Sequence, residues 1–296
     1  KYYRNCMKYS IVDERSYDNY WKAIKQLVGS NGTVYLCQEG VYNQINLESI
    51  PVGDKKYVID EKEIILLSNM RDLLIDKYRK SKADKQARKS EKVNNTVVLV
   101  GNPKYYQDKK GHVSQLPGAE EEVRLIGKTF SDKGWGVSTL VFDQAHESEV
   151  KKMISPNVFH IATHGFFLED AKKSSSQNEL TTDISQNPLL RSGLVLQNGG
   201  TLIERNDVLD FNTEEGILTA YEAMNLNFDH TELVVLSACE TGLGDLMIGE
   251  GVYGLQRSFM VAGAQNIVMS LFKVPDQPTM ELMAAFYVNW LQSGDK

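Results

Sequence analysis

The amino-acid sequence predicts an α/β fold, in which a mostly parallel sheet is flanked by helices and preceded by a small N-terminal α+β subdomain. From Asn95 onward, strand-like runs alternate with helical runs, which is typical of parallel sheets with helical crossovers. Several of these strand-like runs are continuously apolar, as buried parallel strands are. Before Asn95 the strand-like runs are short and separated by Gly or Pro, a pattern that favours local pairing.

The N-terminal part begins with one amphipathic helix. Residues Ser16 to Val28 carry aromatic and aliphatic side chains at a spacing of three and four, which predicts a helix. Short β-rich runs follow it, and hairpin-like pairing is expected among them. These runs are Thr33–Cys37, Val41–Leu47, Lys56–Ile59 and Glu63–Leu67.

A basic segment, Lys77–Lys92, separates the two parts of the chain. It holds eight basic and two acidic residues, a composition typical of a solvated helix end or linker. A regulatory cleavage site and a surface for an anionic partner are the alternatives. The predicted organisation is therefore an N-terminal subdomain over residues 1–92 and a larger α/β domain over residues 93–296.

The larger domain contains six predicted strands and four predicted helices. The strands are Thr96–Val100, Val137–Phe142, Val158–Thr163, Gly193–Leu196, Glu232–Ser237 and Ile267–Phe272. The helices are Glu120–Phe130, a short helix opened by the capping box Thr219-x-x-Glu222, Val252–Ala262, and a last helix with Pro278 in its first turn. The polar, Ser-rich stretch Glu169–Asn187 lacks periodicity and is predicted to be a long mobile loop.

Composition and charge exclude several classes of function. Lys and Arg number 33 against 39 Asp and Glu, and the net charge of -6 argues against nucleic-acid binding. No apolar run approaches the ~20 residues of a membrane helix, so no membrane partner is expected. The three cysteines, Cys6, Cys37 and Cys239, form no CxxC pair, which disfavours a disulfide framework and favours a reducing, cytoplasmic location.

Two predicted strands end in reactive residues. His164-Gly165 follows the first strand and Cys239 follows the second. If both strands lie parallel in one sheet, the imidazole and the thiol emerge at the same edge, where catalytic groups gather. An adjacent imidazole favours the thiolate of a cysteine. The backbone amides of Gly165 and Cys239 could then stabilise a tetrahedral oxyanion.

Several ordered blocks around these residues resemble the CHAT domain, of the caspase–separase clan (clan CD) of cysteine peptidases. The two signature blocks are Phe159–Phe167 and Leu236–Gly244, which hold His164 and Cys239. Further similar blocks are Asn102-Pro103, Leu116–Glu121, Pro188–Leu196, Gly249–Arg257, Ala262–Ala264 and Ser270–Val274, with Gly40–Asn46 in the N-terminal part. The similarity runs from about Tyr17 to the end of the chain.

The resemblance implies a caspase-like fold, with His164 as general base or acid and Cys239 as nucleophile. It implies a cysteine endopeptidase that cleaves a protein substrate at a restricted site, activated by a protein partner or an upstream domain. Because such domains commonly follow tetratricopeptide-type repeats and the chain begins with Lys1 instead of Met, an upstream repeat array is expected. The resemblance also suggests a role in bacterial defence or signalling.

No metal ion or organic cofactor is expected. His160 and His164 lie four positions apart in one strand, about 13 Å, which is too far to share a metal. His160 is instead expected to be a hydrogen-bonded core residue. Gly249-x-Gly251-x-x-Gly254 matches the dinucleotide fingerprint as a string, but no strand directly precedes it.

The substrate pocket departs from related peptidases. Ser237 stands two positions before Cys239, where peptidases that cleave after basic residues or Asn carry an acidic residue. Glu240 and Asp245 are the acidic candidates for substrate binding, with Glu250 also nearby, and each could equally be a solvated or structural carboxylate.

Two further functions stay open from the sequence. The first is a catalytically silent scaffold or signalling module that keeps the fold and acts by protein binding. The second is autoprocessing, with cleavage in the basic segment or in the Glu169–Asn187 loop.

Overall fold

The computed structural model describes residues 2–30, 32–53, 55–67, 69–71, 73–74, 95–107, 111–167, 189–190, 192–205, 216–240, 250–270 and 274–293 of the 296-residue chain. For Asn43, Gln44, Phe167, Arg205, Cys239, Glu240 and 250–253 only the backbone is described. The basic segment Lys77–Lys92 and the predicted loop Glu169–Asn187 lie outside the described residues. The chain divides into two compact units, Lys1–Glu91 and Lys92–Lys296. That the first is a subdomain of one functional unit stays a prediction.

In the described part of the first unit, helices α1 and α2 and four short strands surround an aromatic core. Helix α1 is Tyr2–Tyr9, and a π-helical turn at Tyr17–Trp21 leads into α2, Lys22–Val28. The strands are β1 (Thr33–Cys37), β2 (Pro51–Gly53), β3 (Lys56–Tyr57) and β4 (Glu63–Leu67). Trp21, Ile50 and Val58 are fully buried at the centre of this core.

One predicted strand of this unit is absent. The run Val41–Leu47 is not a strand: it forms 3-10 turns at Gly40–Gln44 and Leu47–Ser49, between which Asn46 accepts a hydrogen bond from the Glu48 amide. Ile45 follows the first turn and Leu47 begins the second, and both side chains are buried, so their burial does not need a strand.

The expected hairpin pairing holds for β2 and β3 alone, because β1 and β4 pair in parallel. The predicted strand Lys56–Ile59 is cut short after Tyr57 by a 3-10 turn at Val58–Asp60. Asp60 accepts a hydrogen bond from the Tyr57 amide, which caps that turn.

The second unit is built on a sheet of five parallel strands, as the sequence predicts. The strands are β5 (Thr96–Pro103), β6 (Gly136–Phe142), β7 (Val158–Ala162), β11 (Leu233–Leu236) and β13 (Asn266–Met269), in the order β13-β11-β7-β5-β6. All four pairs among them are parallel.

Helices cover both faces of this sheet. On one face lie α3 (Pro117–Asp132) and α8 (Asp276–Ser293), and on the other α4 (Glu147–Lys151), α6 (Ala220–Ala223) and α7 (Glu250–Val261). Along β7 the side chains alternate between these two layers, with Phe159 and Ile161 facing one and Val158 and Ala162 the other. The result is a three-layer α/β/α structure that contains five of the six predicted strands. The sixth, Gly193–Leu196, lies instead in a second sheet, where it pairs antiparallel with both of its neighbours.

A smaller mixed sheet, which the sequence did not predict, continues from the larger one. Its strands are β8 (His164–Phe167), β9 (Ser192–Val195), β10 (Ile217–Thr219) and β12 (Cys239–Glu240), in the order β10-β9-β8-β12. Strands β8 and β12 pair in parallel, and the other two pairs are antiparallel. A short helix, α5 (Gly200–Arg205), contributes Leu202 to a third core beside this sheet.

Across the described parts of both units, no helix combines the length and the apolar character that crossing a bilayer demands.

Candidate active site

The backbone brings His164 and Cys239 into register. Strands β7 and β11 pair in the large sheet, where Ile161 lies opposite Leu236. After a short bend in each chain segment, β8 and β12 pair in the small sheet with the same offset, so that His164 lies opposite Cys239. The two residues therefore begin neighbouring strands on the side of the large sheet at which its parallel strands end.

The imidazole of His164 has a defined orientation. Its Nε2 atom lies 2.7 Å from the carbonyl oxygen of Ser114. A carbonyl oxygen only accepts hydrogen bonds, so Nε2 must carry a proton. In the neutral ring the basic lone pair is consequently on Nδ1, an atom shielded from solvent. This tautomer follows from the Ser114 contact and suits a ring that takes a proton at Nδ1.

A buried hydrogen-bond chain supports the backbone of His164. Thr163 Oγ1 donates to the Val195 carbonyl at 2.5 Å, so the Tyr105 hydroxyl, 3.0 Å away, must donate to Thr163 Oγ1. Burial raises the pKa of Tyr105, while a hydrogen bond from the His164 backbone lowers it. The lowering by His164 is the direction expected when its backbone N–H donates to the hydroxyl oxygen. The Tyr105 ring also packs on the imidazole, with centroids 5.0 Å apart.

The peptide that precedes Cys239 is also held from a neighbouring strand. The Ser270 hydroxyl, just after β13, donates to the Ala238 carbonyl at 3.0 Å. Ser237 and Ala238 are both partly buried at this bend. Ser270 thereby fixes the orientation of the peptide group whose N–H belongs to Cys239.

The other predicted site residues are described to different extents. Gly165 is buried in β8 and lies opposite Glu240 in β12, so both are beside the His164–Cys239 pair. Asp245 lies outside the described residues, and Glu250 is described only as the first residue of α7. Gly165, Glu240 and Asp245 keep their roles as predictions.

His160 lies in the core, as expected. It is fully buried in β7, with Nε2 3.0 Å from Glu122 Oε1 on α3 and Nδ1 3.2 Å from the Tyr287 hydroxyl on α8. Its ring therefore links the central sheet to both helices of one layer. Among the described residues, no three His, Cys, Asp or Glu side chains form a group that could hold a metal ion.

Sequence reasoning missed Ser114, Tyr105, Thr163 and the role of Ser270. Thr163 and Ser270 lie inside the blocks that carry the family resemblance, and Tyr105 lies shortly after Asn102-Pro103. Their positions in or near these blocks could have indicated that they belong to the site. Ser114 contributes a backbone carbonyl, which every residue type has, and its identity carries no such signal.

The fold and the paired strand ends define a three-layer α/β protein with a histidine and a cysteine side by side on neighbouring parallel strands. The family model described as the CHAT domain matches residues 17–296, nearly the whole chain. The chain belongs to the CHAT domain family, which is caspase-like and related to the clan CD cysteine peptidases. Its parallel sheet flanked by helices agrees with a caspase-like fold.

Other comparisons add little to this assignment. No curated protein matches the chain. Among solved structures, the chain is similar to the flavodoxin of Streptococcus pneumonia TIGR4, at 12% identity and a TM-score of 0.33, over 68% of this chain and 99% of the flavodoxin. A similarity at this level carries no argument about the function of this protein.

Proposed function

We propose that this protein is a cysteine endopeptidase in which Cys239 is the nucleophile and His164 the general base and acid. The observation that carries the proposal is the register of β8 and β12, in which these two residues lie directly opposite each other. Membership of a peptidase-related family supports the same chemistry. The orientation of the His164 ring supports it independently, because the proton on Nε2 leaves Nδ1 as the base.

The proposed reaction has two steps. His164 Nδ1 takes the thiol proton of Cys239, and the thiolate sulfur attacks the carbonyl carbon of the scissile peptide. The carbon–nitrogen bond then breaks, and His164 gives the proton to the leaving amine, which leaves a thioester on Cys239. A water molecule, deprotonated by His164, attacks the thioester, and release of the acid restores the thiol.

Amides of the paired strands are proposed to stabilise the oxyanion. The backbone N–H groups of Gly165 and Cys239 are the predicted donors, and losing one such donor costs about 3–4 kcal/mol of transition-state stabilisation. The Ser270–Ala238 hydrogen bond supports this role, because it fixes the peptide group to which the Cys239 amide belongs.

The substrate is proposed to be a protein, cleaved at a restricted site after an activating partner or upstream domain acts. Glu240 and Asp245 are the proposed acidic contacts for the substrate side chain. A metal ion or organic cofactor has no part in the proposed steps.

Site-resolved alkylation tests the dyad without a known substrate. The rate at which iodoacetamide modifies Cys239 is measured by mass spectrometry across pH, in the wild type, in His164→Ala and in His230→Ala, an exposed-histidine control. We expect Cys239 of the wild type and the control to titrate well below the ordinary thiol pKa of about 8.5, and His164→Ala to lose this behaviour.

Cys37, a partly buried free cysteine, reports the ordinary reactivity within each sample. If Cys239 behaves like Cys37 at every pH and His164→Ala changes nothing, the proposed dyad is wrong. The scaffold function would then be preferred, because it needs the fold and no reactive thiol.

A further inference from the structure

The carbonyl that orients His164 belongs to a loop without regular secondary structure. We call residues 111–116 the Ser114 loop. It connects the segment after β5 to helix α3, and it carries the oxygen 2.7 Å from His164 Nε2. A loop of this kind has no ladder of backbone hydrogen bonds, so other groups must fix its position.

Side chains from outside the loop hold three of its amides. The Val113 amide donates to the Tyr106 hydroxyl at 3.0 Å, and the His112 amide donates to the Glu204 carboxylate. At the far end, the Leu116 amide donates to Asn102 Oδ1 at 2.8 Å. The amides on both sides of Ser114 are thus anchored, and its carbonyl is fixed between them.

Tyr106 and Glu204 act as one unit. The Tyr106 hydroxyl has one proton, which it donates to Glu204 Oε1 at 2.5 Å, and its oxygen accepts from Val113. The Tyr106 hydroxyl and the His112 amide both lower the pKa of Glu204, as expected for a carboxylate that receives two hydrogen bonds. The carboxylate therefore stays ionised, and available as the acceptor, throughout the neutral range.

The Tyr106 ring packs closely against the backbone at two glycines. A Cβ atom added at Gly111 would lie 2.0 Å from Tyr106 Cζ, and one added at Gly200 would lie 2.6 Å from the same atom. The ring is therefore held against the backbone of both the Ser114 loop and the first residue of α5. Glu204 extends from that same helix, so α5 and the loop are joined at two points.

We propose that Tyr106 and Glu204 are positioning residues for His164. By holding the Ser114 loop, they keep its carbonyl in place to accept the Nε2–H bond, and this selects the tautomer in which Nδ1 is the base. The proposal rests on the proposed peptidase function for its catalytic meaning, but its structural content can be measured separately.

The experiment reads the imidazole itself. The protein is labelled with 15N-histidine, and long-range 1H–15N correlations give the tautomer of each of its five histidines. The His164 signals are assigned by their loss in His164→Ala. We compare the wild type with Glu204→Ala, Glu204→Gln and Tyr106→Phe. Glu149→Ala is the control, because Glu149 is an exposed carboxylate on α4 that is bound to Lys152, the residue after that helix.

We expect the Nε2–H tautomer in the wild type and in the control. Glu204→Ala and Tyr106→Phe should populate the Nδ1–H tautomer, and Glu204→Gln should retain the wild-type tautomer because its amide oxygen accepts the same bonds. Glu204 is exposed, so its replacement leaves the core intact and the folded state available for measurement. Rescue by Gln separates positioning from general destabilisation.

Alkylation of Cys239 gives the second measurement. A rise of one unit in the thiolate pKa lowers the rate below that pKa about tenfold, and we expect this loss in Glu204→Ala and not in Glu149→Ala. A His164 ring that keeps its wild-type tautomer in both Glu204→Ala and Tyr106→Phe overturns the inference. The proposed dyad would be contradicted by a different result, an alkylation rate of Cys239 that does not change in His164→Ala. The two failures are therefore distinguishable.

Discussion

Thr163 lies at the bend where one strand passes from the large sheet to the small one. Its hydroxyl is fully buried, accepts from Tyr105 and donates to the Val195 carbonyl, and the next residue is His164. A hydroxyl in this position satisfies two buried polar groups at once. Removing this hydroxyl would therefore affect the hydrogen bonding of Tyr105 and of the Val195 carbonyl as well as that of Thr163.

Replacing Thr163 tests that hydrogen-bond chain. Thr163→Val keeps the shape but removes the hydroxyl, which leaves the Val195 carbonyl without this donor and removes the acceptor of the Tyr105 proton. We expect a loss of about 1–3 kcal/mol in the free energy of unfolding, measured by urea denaturation. Thr163→Ser is the matched control because it retains the hydroxyl. Equal stabilities of the Val and Ser variants would contradict this prediction.

Helix α8 is held to the sheet by an apolar layer and by one polar cluster inside it. Tyr287 packs on Phe130 and Trp290, with ring centroids 5.2 and 6.1 Å away, and its hydroxyl lies 3.2 Å from His160. Burial, and then the charge of Glu122, raise the pKa of Tyr287. The phenol therefore remains protonated beside the His160–Glu122 pair.

Removing that hydroxyl tests whether the polar cluster stabilises the helix. Tyr287→Phe keeps the ring contacts and leaves His160 Nδ1 without a partner from Tyr287, so we expect unfolding to become easier by about 1–3 kcal/mol. Tyr221→Phe, which changes an exposed tyrosine, serves as the control and should stay within about 0.5 kcal/mol of the wild type. Chemical denaturation of all three proteins gives the answer, and indistinguishable midpoints would show that the cluster contributes nothing.

The sequence predicted the apolar strands of the large sheet better than the strands of the small sheet. Val158–Ala162 is fully buried on both faces, and its continuous apolar run sufficed to identify a parallel strand. Strands β11 and β13 have only four residues each, but their apolar residues identified them. Strands β8 and β12 instead follow predicted strands after a short bend and begin with His164 and Cys239, so the sequence did not indicate a second sheet. The β-rich run Val41–Leu47 was wrongly predicted as a strand, because turns on either side of Asn46 bury Ile45 and Leu47 equally well.

For the site, the sequence indicated that His164 and Cys239 would emerge together, and the strand register agrees. The groups that orient His164 come from residues far away in the chain: Ser114 lies 50 positions before His164, and Tyr105 lies 59 positions before it. Contacts over such distances depend on how loops pack against strands, which local patterns do not report. On the Ser114 side, the contact uses only a backbone atom.

At the scale of the whole molecule, buried tyrosines limit stability in alkali. Burial raises the pKa values of Tyr105 and Tyr287 above the ordinary value of 10. Above about pH 10 the unfolded chain loses these protons while the folded protein keeps them. Their contribution is thus fully present below pH 10 and is lost as the pH rises toward the folded-state values.

We expect the free energy of unfolding to fall steeply above pH 10, by about 1.4 kcal/mol per pH unit for each such tyrosine. Tyr287→Phe should reduce this slope by the share of one tyrosine, even though this variant is less stable than the wild type at pH 8. Urea titrations at a series of pH values between 8 and 11 measure it. If Tyr287→Phe does not alter the slope, the raised pKa of Tyr287 does not contribute to stability in alkali and the prediction is wrong.

The pair β7–β11 continues through a bend into the pair β8–β12 with the same offset, and this limits where related chains can differ in length. Because hydrogen bonds between strands align His164 with Cys239, the connections between those strands can gain or lose residues at little cost. One residue added inside Val158–His164 or Leu233–Cys239 would instead turn a side chain to the opposite face. Insertions and deletions in evolution are therefore expected to collect outside these two seven-residue stretches. The length of each stretch must stay constant, whereas the length of the connections between them can vary.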